Sequence, residues 1–88
     1  MVDKTPVFDP MIYDALLELA TRIGGRYVAW ADRAQSEAEA RHWLDVAAEM
    51  RRGVRQVDSF NEAEIEAKRQ ELRELWRSMP VDAPQLTA

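Results

Sequence analysis

The residues able to do acid–base or metal chemistry are few in this sequence. Its 88 residues include one histidine, His42, and no cysteine. With Glu39 nearby, His42 has the means to act as a general base. No second group of catalytic type converges with it, so we interpret His42 as a boundary residue of a helix. The sequence therefore predicts no catalytic, cofactor-binding or metal-ligating residues, and we expect a protein that is not an enzyme.

Arginines are the second group with chemical capacity. Arg51, Arg52 and Arg55 form the one basic cluster that the sequence displays. Arg41 lies on the same predicted helix. Guanidinium groups bind carboxylates and phosphates, so this set is a candidate patch for an anionic partner. Cations are also favoured at the C-terminal end of a helix by its dipole, and that explanation stays open.

The three tryptophans are the remaining candidate functional residues. Trp30, Trp43 and Trp76 each fall on the apolar face of a different predicted helix. An aromatic platform for a ligand is one interpretation, and core packing is the other. We favour core packing, because each tryptophan is in phase with the apolar residues around it.

The helix that organises the chain is predicted from apolar residues recurring every 3.6 positions. Its apolar face comprises Ile12, Leu16, Leu19, Ile23, Tyr27, Trp30 and Ala34. Asp9 and Pro10 are typical of a helix start. The apolar stripe keeps its phase across Gly24-Gly25, which favours one helix over residues 10–34. Two interior glycines cost about 1 kcal/mol each, so two helices joined by a glycine cap remain the alternative.

Two further helices follow from capping signals. Ser36 and Glu39 form a capping box, and the pattern predicts a second helix over residues 37–56. Asn61 and Glu64 form a similar pair, which predicts a third helix over 62–79. The apolar positions are Trp43, Val46, Ala47, Met50 and Val54 in helix two, and Ile65, Leu72, Leu75, Trp76 and Met79 in helix three. The alternating charges of helix three are interpreted as a solvated face.

The sequence thus predicts an all-α, three-helix bundle. We expect a single helical domain over residues 9–79, a flexible arm over 1–8 and a flexible tail over 80–88. No strand is expected, because alternation of apolar and polar residues never lasts.

Composition and charge limit the cellular locations and the classes of binding partner that we expect. The net charge of −4 argues against nucleic acid as a partner. No apolar run approaches the roughly 20 residues of a membrane span, and the first residues lack the apolar core of a signal peptide. We expect a cytoplasmic protein, and its richness in arginine and alanine suggests a bacterial source.

Small size, acidic charge and the lack of a catalytic constellation favour a protein–protein interaction module. A regulator or inhibitor of antitoxin, phage or accessory type would fit this description. One alternative is a self-associating structural bundle, a homodimer. A lesser alternative is a DNA-binding regulator that uses the helix carrying Arg41–Arg55. No small-molecule substrate or cofactor is indicated.

Helix lengths place the expected contact surface. Helix one is the longest, so its N-terminal end should project beyond the other two. The large apolar residues at that end are Phe8, Met11, Ile12, Tyr13 and Leu16. We expect a protein partner or a second copy to cover them, with Phe8 and Tyr13 as anchors. The alternative is that one of the chain's own terminal segments folds over them.

Overall fold

Three α-helices make up the fold. The computed structural model describes residues 10–86, where the helices are α1 (Pro10–Asp32), α2 (Glu37–Arg55) and α3 (Glu62–Ser78). No strand occurs within the described range. The predicted all-α three-helix bundle is confirmed, and each helix ends one or two residues before its predicted end.

The first helix runs without interruption through its two glycines, so the continuous interpretation is correct. Neither Gly24 nor Gly25 has a positive φ angle. A Cβ atom on Gly24 would lie 3.1 Å from Nη2 of Arg51, so the missing side chain leaves room for an arginine of α2. A Cβ atom on Gly25 would meet nothing within 4 Å, so packing does not account for this glycine.

The second and third helices begin at the predicted caps. The Ser36 hydroxyl accepts a hydrogen bond from the N–H of Glu39 at 3.0 Å. The Asn61 side-chain oxygen accepts one from the N–H of Glu64 at 3.1 Å. Each glutamate carboxylate in turn accepts a hydrogen bond from a backbone N–H before the cap residue. The N–H of Gln35 donates to Glu39, and the N–H of Asp58 donates to Glu64.

The first helix is the centre of the bundle, because α2 and α3 both pack on α1 and make few contacts with each other. α2 runs antiparallel to α1, which places Trp43 beside Trp30 and Arg51 beside Gly24. α3 runs parallel to α1. The connection between α2 and α3 therefore lies beside the N-terminal half of α1.

Apolar side chains alone form the core of the described residues. The buried residues are Leu16, Leu19, Ala20, Ile23, Tyr27, Trp30, Ala31, Trp43, Ala47, Val54, Ile65, Leu72 and Met79. Every predicted apolar face is represented in this set. The other predicted apolar residues pack partly buried against the core, except Ala34, which lies beyond the end of α1. The 3.6-residue periodicity therefore identified the sides of the helices that face inward.

An aromatic cluster joins α1 to α2. The rings of Trp30 and Trp43 meet edge to face with centroids 4.7 Å apart, and Tyr27 stacks on Trp43 at 6.0 Å. Both of these tryptophans pack in the core, as favoured from the sequence. The Trp43 Nε1–H is buried and has no hydrogen-bond partner among the described residues.

The chain beyond α3 has no regular structure, yet it contacts α1. The Arg26 guanidinium donates hydrogen bonds to the carbonyls of Met79 and Pro80, at 3.0 and 3.1 Å. The Trp30 indole donates one to the carbonyl of Val81 at 2.9 Å. Contacts therefore continue past residue 79, where the sequence places the end of the helical domain.

Candidate interaction site

The predicted contact surface at the start of α1 is present only in part. Phe8 lies outside the described residues. Met11 is 66% exposed, whereas Ile12 and Tyr13 are half-buried against the core. Leu16 is 0% exposed and lies within the hydrophobic core cluster. It belongs to the core and offers no surface to a partner, so it is not retained in the predicted surface.

The predicted basic patch lies along α2. All of its members are exposed: Arg41, Arg51, Arg52 and Arg55. The Arg51 side chain lies over Gly24, and Arg52 forms an ion pair with Glu49. Arg41 is ten residues before Arg51, which is about 15 Å along the helix axis. The patch is therefore spread along the helix, and two of its members have contacts within the bundle.

A second group of arginines converges much more closely. Between α1 and α3 lies a groove of about 580 Å³, which we call the arginine groove, and no residue of α2 lines it. Its arginines are Arg22, Arg26, Arg69, Arg73 and Arg77. Five of the chain's twelve basic residues thus line one groove. Of the chain's sixteen acidic residues, only Glu18 lines it.

Helical periodicity explains how these side chains come together. Arg69, Arg73 and Arg77 recur at intervals of four residues, so they form a row along one flank of α3 with about 6 Å between neighbours. Arg22 and Arg26 form the same kind of pair on α1. Like charges at this spacing repel by about 0.2–0.5 kcal/mol per pair. The helix dipole favours Arg77 in the last turn of α3, but it does not favour Arg22 and Arg26 in the interior of α1.

Trp76 lies between the two rows and is half-buried. The Arg26 guanidinium carbon is 4.3 Å from the centroid of the Trp76 ring, and that of Arg22 is 6.0 Å away. Both contacts have the geometry of a cation–π interaction. Because Arg26 also bonds the two carbonyls after α3, its guanidinium is fixed by the fold, whereas Arg22 is exposed.

The charges of the groove are only partly neutralised. Arg69 forms an ion pair with Glu66 at 3.0 Å. Arg22, Arg73 and Arg77 are exposed and form no ion pair within residues 10–86. Three guanidinium groups around one tryptophan therefore remain available to a ligand, in a chain whose acidic residues outnumber its basic ones.

This site was not predicted from the sequence, because the charges of α3 were interpreted as a solvated face. The available signal was the spacing of four in Arg69, Arg73 and Arg77, repeated in Arg22 and Arg26. Three cations in succession at that spacing are more than the carboxylates of the same flank can pair, since Glu66 pairs only with Arg69.

Neither a metal site nor a membrane span is found among the described residues. Within residues 10–86 no group of three or more histidine, aspartate or glutamate side chains could hold a metal ion. No helix in this range has the length and apolar character needed to cross a bilayer. Known protein families, curated proteins and solved structures provide no match to this chain.

Proposed function

We propose that this chain is a protein–protein interaction module that docks on a protein partner through the arginine groove. The observation that carries the proposal is the convergence of Arg22, Arg73 and Arg77, without ion pairs in the described chain, around the half-buried Trp76. Arginine and tryptophan are the residues most enriched at the energetic centres of protein interfaces. We propose that the module acts as a regulator or inhibitor in the cytoplasm.

The electrostatics of the groove support a role in binding. A chain with sixteen acidic residues has carboxylates enough to pair every arginine, and Arg69 is paired in this way. Leaving Arg73 and Arg77 unpaired four residues apart costs a few tenths of a kcal/mol within the isolated helix. A partner carrying opposite charge would replace this repulsion with attraction on binding.

The groove is the centre of the proposed interface and does not account for all of it. A stable complex buries about 800 Å² and roughly 20–30 residues on each partner. The groove is lined by ten residues. The exposed faces of α1 and α3 on either side would form the rim.

Site-specific photocrosslinking tests the proposal. A photoreactive amino acid replaces Arg73 in the groove or, as a matched control, Arg41 on the exposed side of α2. Irradiation in cells of the source organism should then yield a distinct crosslinked protein from position 73 only. Adding Arg77→Glu to the position-73 variant should reduce the yield, because it reverses a neighbouring charge. Equal crosslinking from both positions, or none from position 73, would contradict docking through the groove.

Self-association is the second candidate, and it is favoured by the exposure of Leu17 and Val28 on one side of α1. A homodimer formed through this face would give crosslinks between two copies of the chain. Sedimentation equilibrium would show a dimer that Leu17→Asp converts to a monomer. A monomer at all concentrations would exclude this candidate.

A further inference from the structure

The arginine groove also indicates the chemistry of what it binds. Building on the proposed function, we infer that the bound segment of the partner is an acidic peptide whose carboxylates pair with Arg22, Arg73 and Arg77. Planar guanidinium groups bind carboxylates through two parallel hydrogen bonds. Those three groups are exposed and form no ion pair with another described residue.

The spacing of the arginines matches the spacing of side chains on a peptide. Arg73 and Arg77 are separated by about 6 Å along α3. Acidic residues four apart on a partner helix have the same separation, and alternate residues of an extended strand are about 6.6–6.8 Å apart. Either conformation would place two carboxylates against α3 while a third side chain reaches Arg22 on the opposite wall.

The one carboxylate in the groove does not cancel this attraction. Glu18 lies one helical turn before Arg22 on α1. It offsets one positive charge, whereas three unpaired arginines surround the same space. The groove therefore keeps a positive local charge within a chain whose net charge is −4.

Two features favour an acidic peptide over nucleic acid. Single-stranded nucleic acid is held by bases that stack on exposed aromatic rings. Here the guanidinium of Arg26 already lies over the Trp76 ring, 4.3 Å from its centroid. A long polyanion would also extend beyond the groove, where acidic residues predominate and repel it. A short acidic segment confines its charge to the groove.

Fluorescence anisotropy with a labelled decaglutamate peptide tests the inference. The full-length chain should bind this peptide at low ionic strength and bind it more weakly as salt is added. The double variant Arg73→Glu/Arg77→Glu should weaken binding by roughly tenfold or more, because each change removes one attraction and adds one repulsion. The matched control, Arg41→Glu/Arg55→Glu on α2, makes the same change in net charge away from the groove. Its effect should be about twofold or less, since only long-range attraction is reduced.

Several results would overturn the inference. These are a wild-type chain that does not bind decaglutamate, equal losses in the two double variants, and a larger loss in the α2 variant. Tighter groove-dependent binding of an oligothymidylate of equal charge would point to nucleic acid instead. If the groove variant loses its helical circular dichroism, Arg73→Gln/Arg77→Gln provides the test without charge reversal, and it should still weaken binding severalfold.

The two proposals fail in different ways. A crosslink from position 73 without decaglutamate binding would overturn the acidic-peptide inference and leave the interaction module standing. Groove-dependent decaglutamate binding without any crosslinked protein would overturn the interaction module and leave an anion-binding groove.

Discussion

At the scale of single residues, the glycines of α1 have unequal surroundings. Gly25 is helical, exposed and without a neighbour at its Cβ position. Gly25→Ala should therefore raise the free energy of unfolding by about 0.5–1 kcal/mol, because alanine loses less backbone entropy in a helix. Urea unfolding should show a higher midpoint with an unchanged slope.

The adjacent glycine is the natural control for that substitution. A Cβ atom at Gly24 would lie 3.1 Å from Nη2 of Arg51, so that side chain must move aside. Gly24→Ala should therefore stabilise the chain less than Gly25→Ala does. A loss of stability in Gly25→Ala would mean that α1 is not a continuous helix at this point.

The buried tyrosine of the aromatic cluster predicts a dependence on pH. Burial raises the pKa of the Tyr27 hydroxyl above its usual value, which is about 10. Above pH 10 the unfolded chain releases this proton before the folded chain does, so the folded state loses relative stability. The contribution is fully present below pH 10 and is lost as the pH rises through the folded pKa. Urea unfolding at a series of pH values should show this loss, and Tyr27→Phe should remove that part of it.

At the scale of elements, α2 depends on its cap. The Ser36 hydroxyl satisfies the N–H of Glu39, which has no partner within the helix. Ser36→Ala should lower the free energy of unfolding by about 0.5–2 kcal/mol, whereas Ser36→Asp, which keeps an acceptor, should cost much less. Thermal or urea unfolding compares the two. Equal effects of the two substitutions would show that the cap bond contributes nothing.

The elements themselves were predictable because their signals are local. The caps at Ser36 and Asn61 are set by residues three positions away, and the apolar stripes follow from helical periodicity alone. Leu16 lies on the predicted apolar face of α1, but the comparison of helix lengths placed it in a projecting contact surface, and its burial shows that the core extends that far. Helix length gives no information on where the neighbouring helices lie along α1.

The same reason explains why the candidate site was missed. Arg22 and Arg73 are about fifty residues apart in the chain. Which flank of α1 lies next to α3, and which flank of α3 lies next to α1, depends on how the two helices pack. Sequence periodicity identifies the buried side of each helix, but it does not tell which of the two flanks will face a neighbour. The rows of arginine were visible separately, and only the parallel packing of the helices brings them together.

At the scale of the whole molecule, stability should be uneven. α1 has a packed neighbour on each of two sides, whereas α3 contacts α1 and makes few contacts with α2. An opening that releases α3 alone exposes less apolar surface than global unfolding, so it costs less free energy. Native-state hydrogen exchange should show faster exchange for amides of α3 than for the central amides of α1. Equal protection across the three helices would instead indicate one cooperative unit.

The hydrogen bonds between α1 and the segment after α3 have a mechanical consequence. A force applied to the chain beyond Ala83 would act first on the ion pair between Asp82 and Arg33. It would then act on the bond to Trp30 and on the bonds from Arg26 to Pro80 and Met79. Tension therefore passes to the central helix before it reaches the last turn of α3. A pull on this end of the chain would have to break these side-chain bonds before α3 began to unwind.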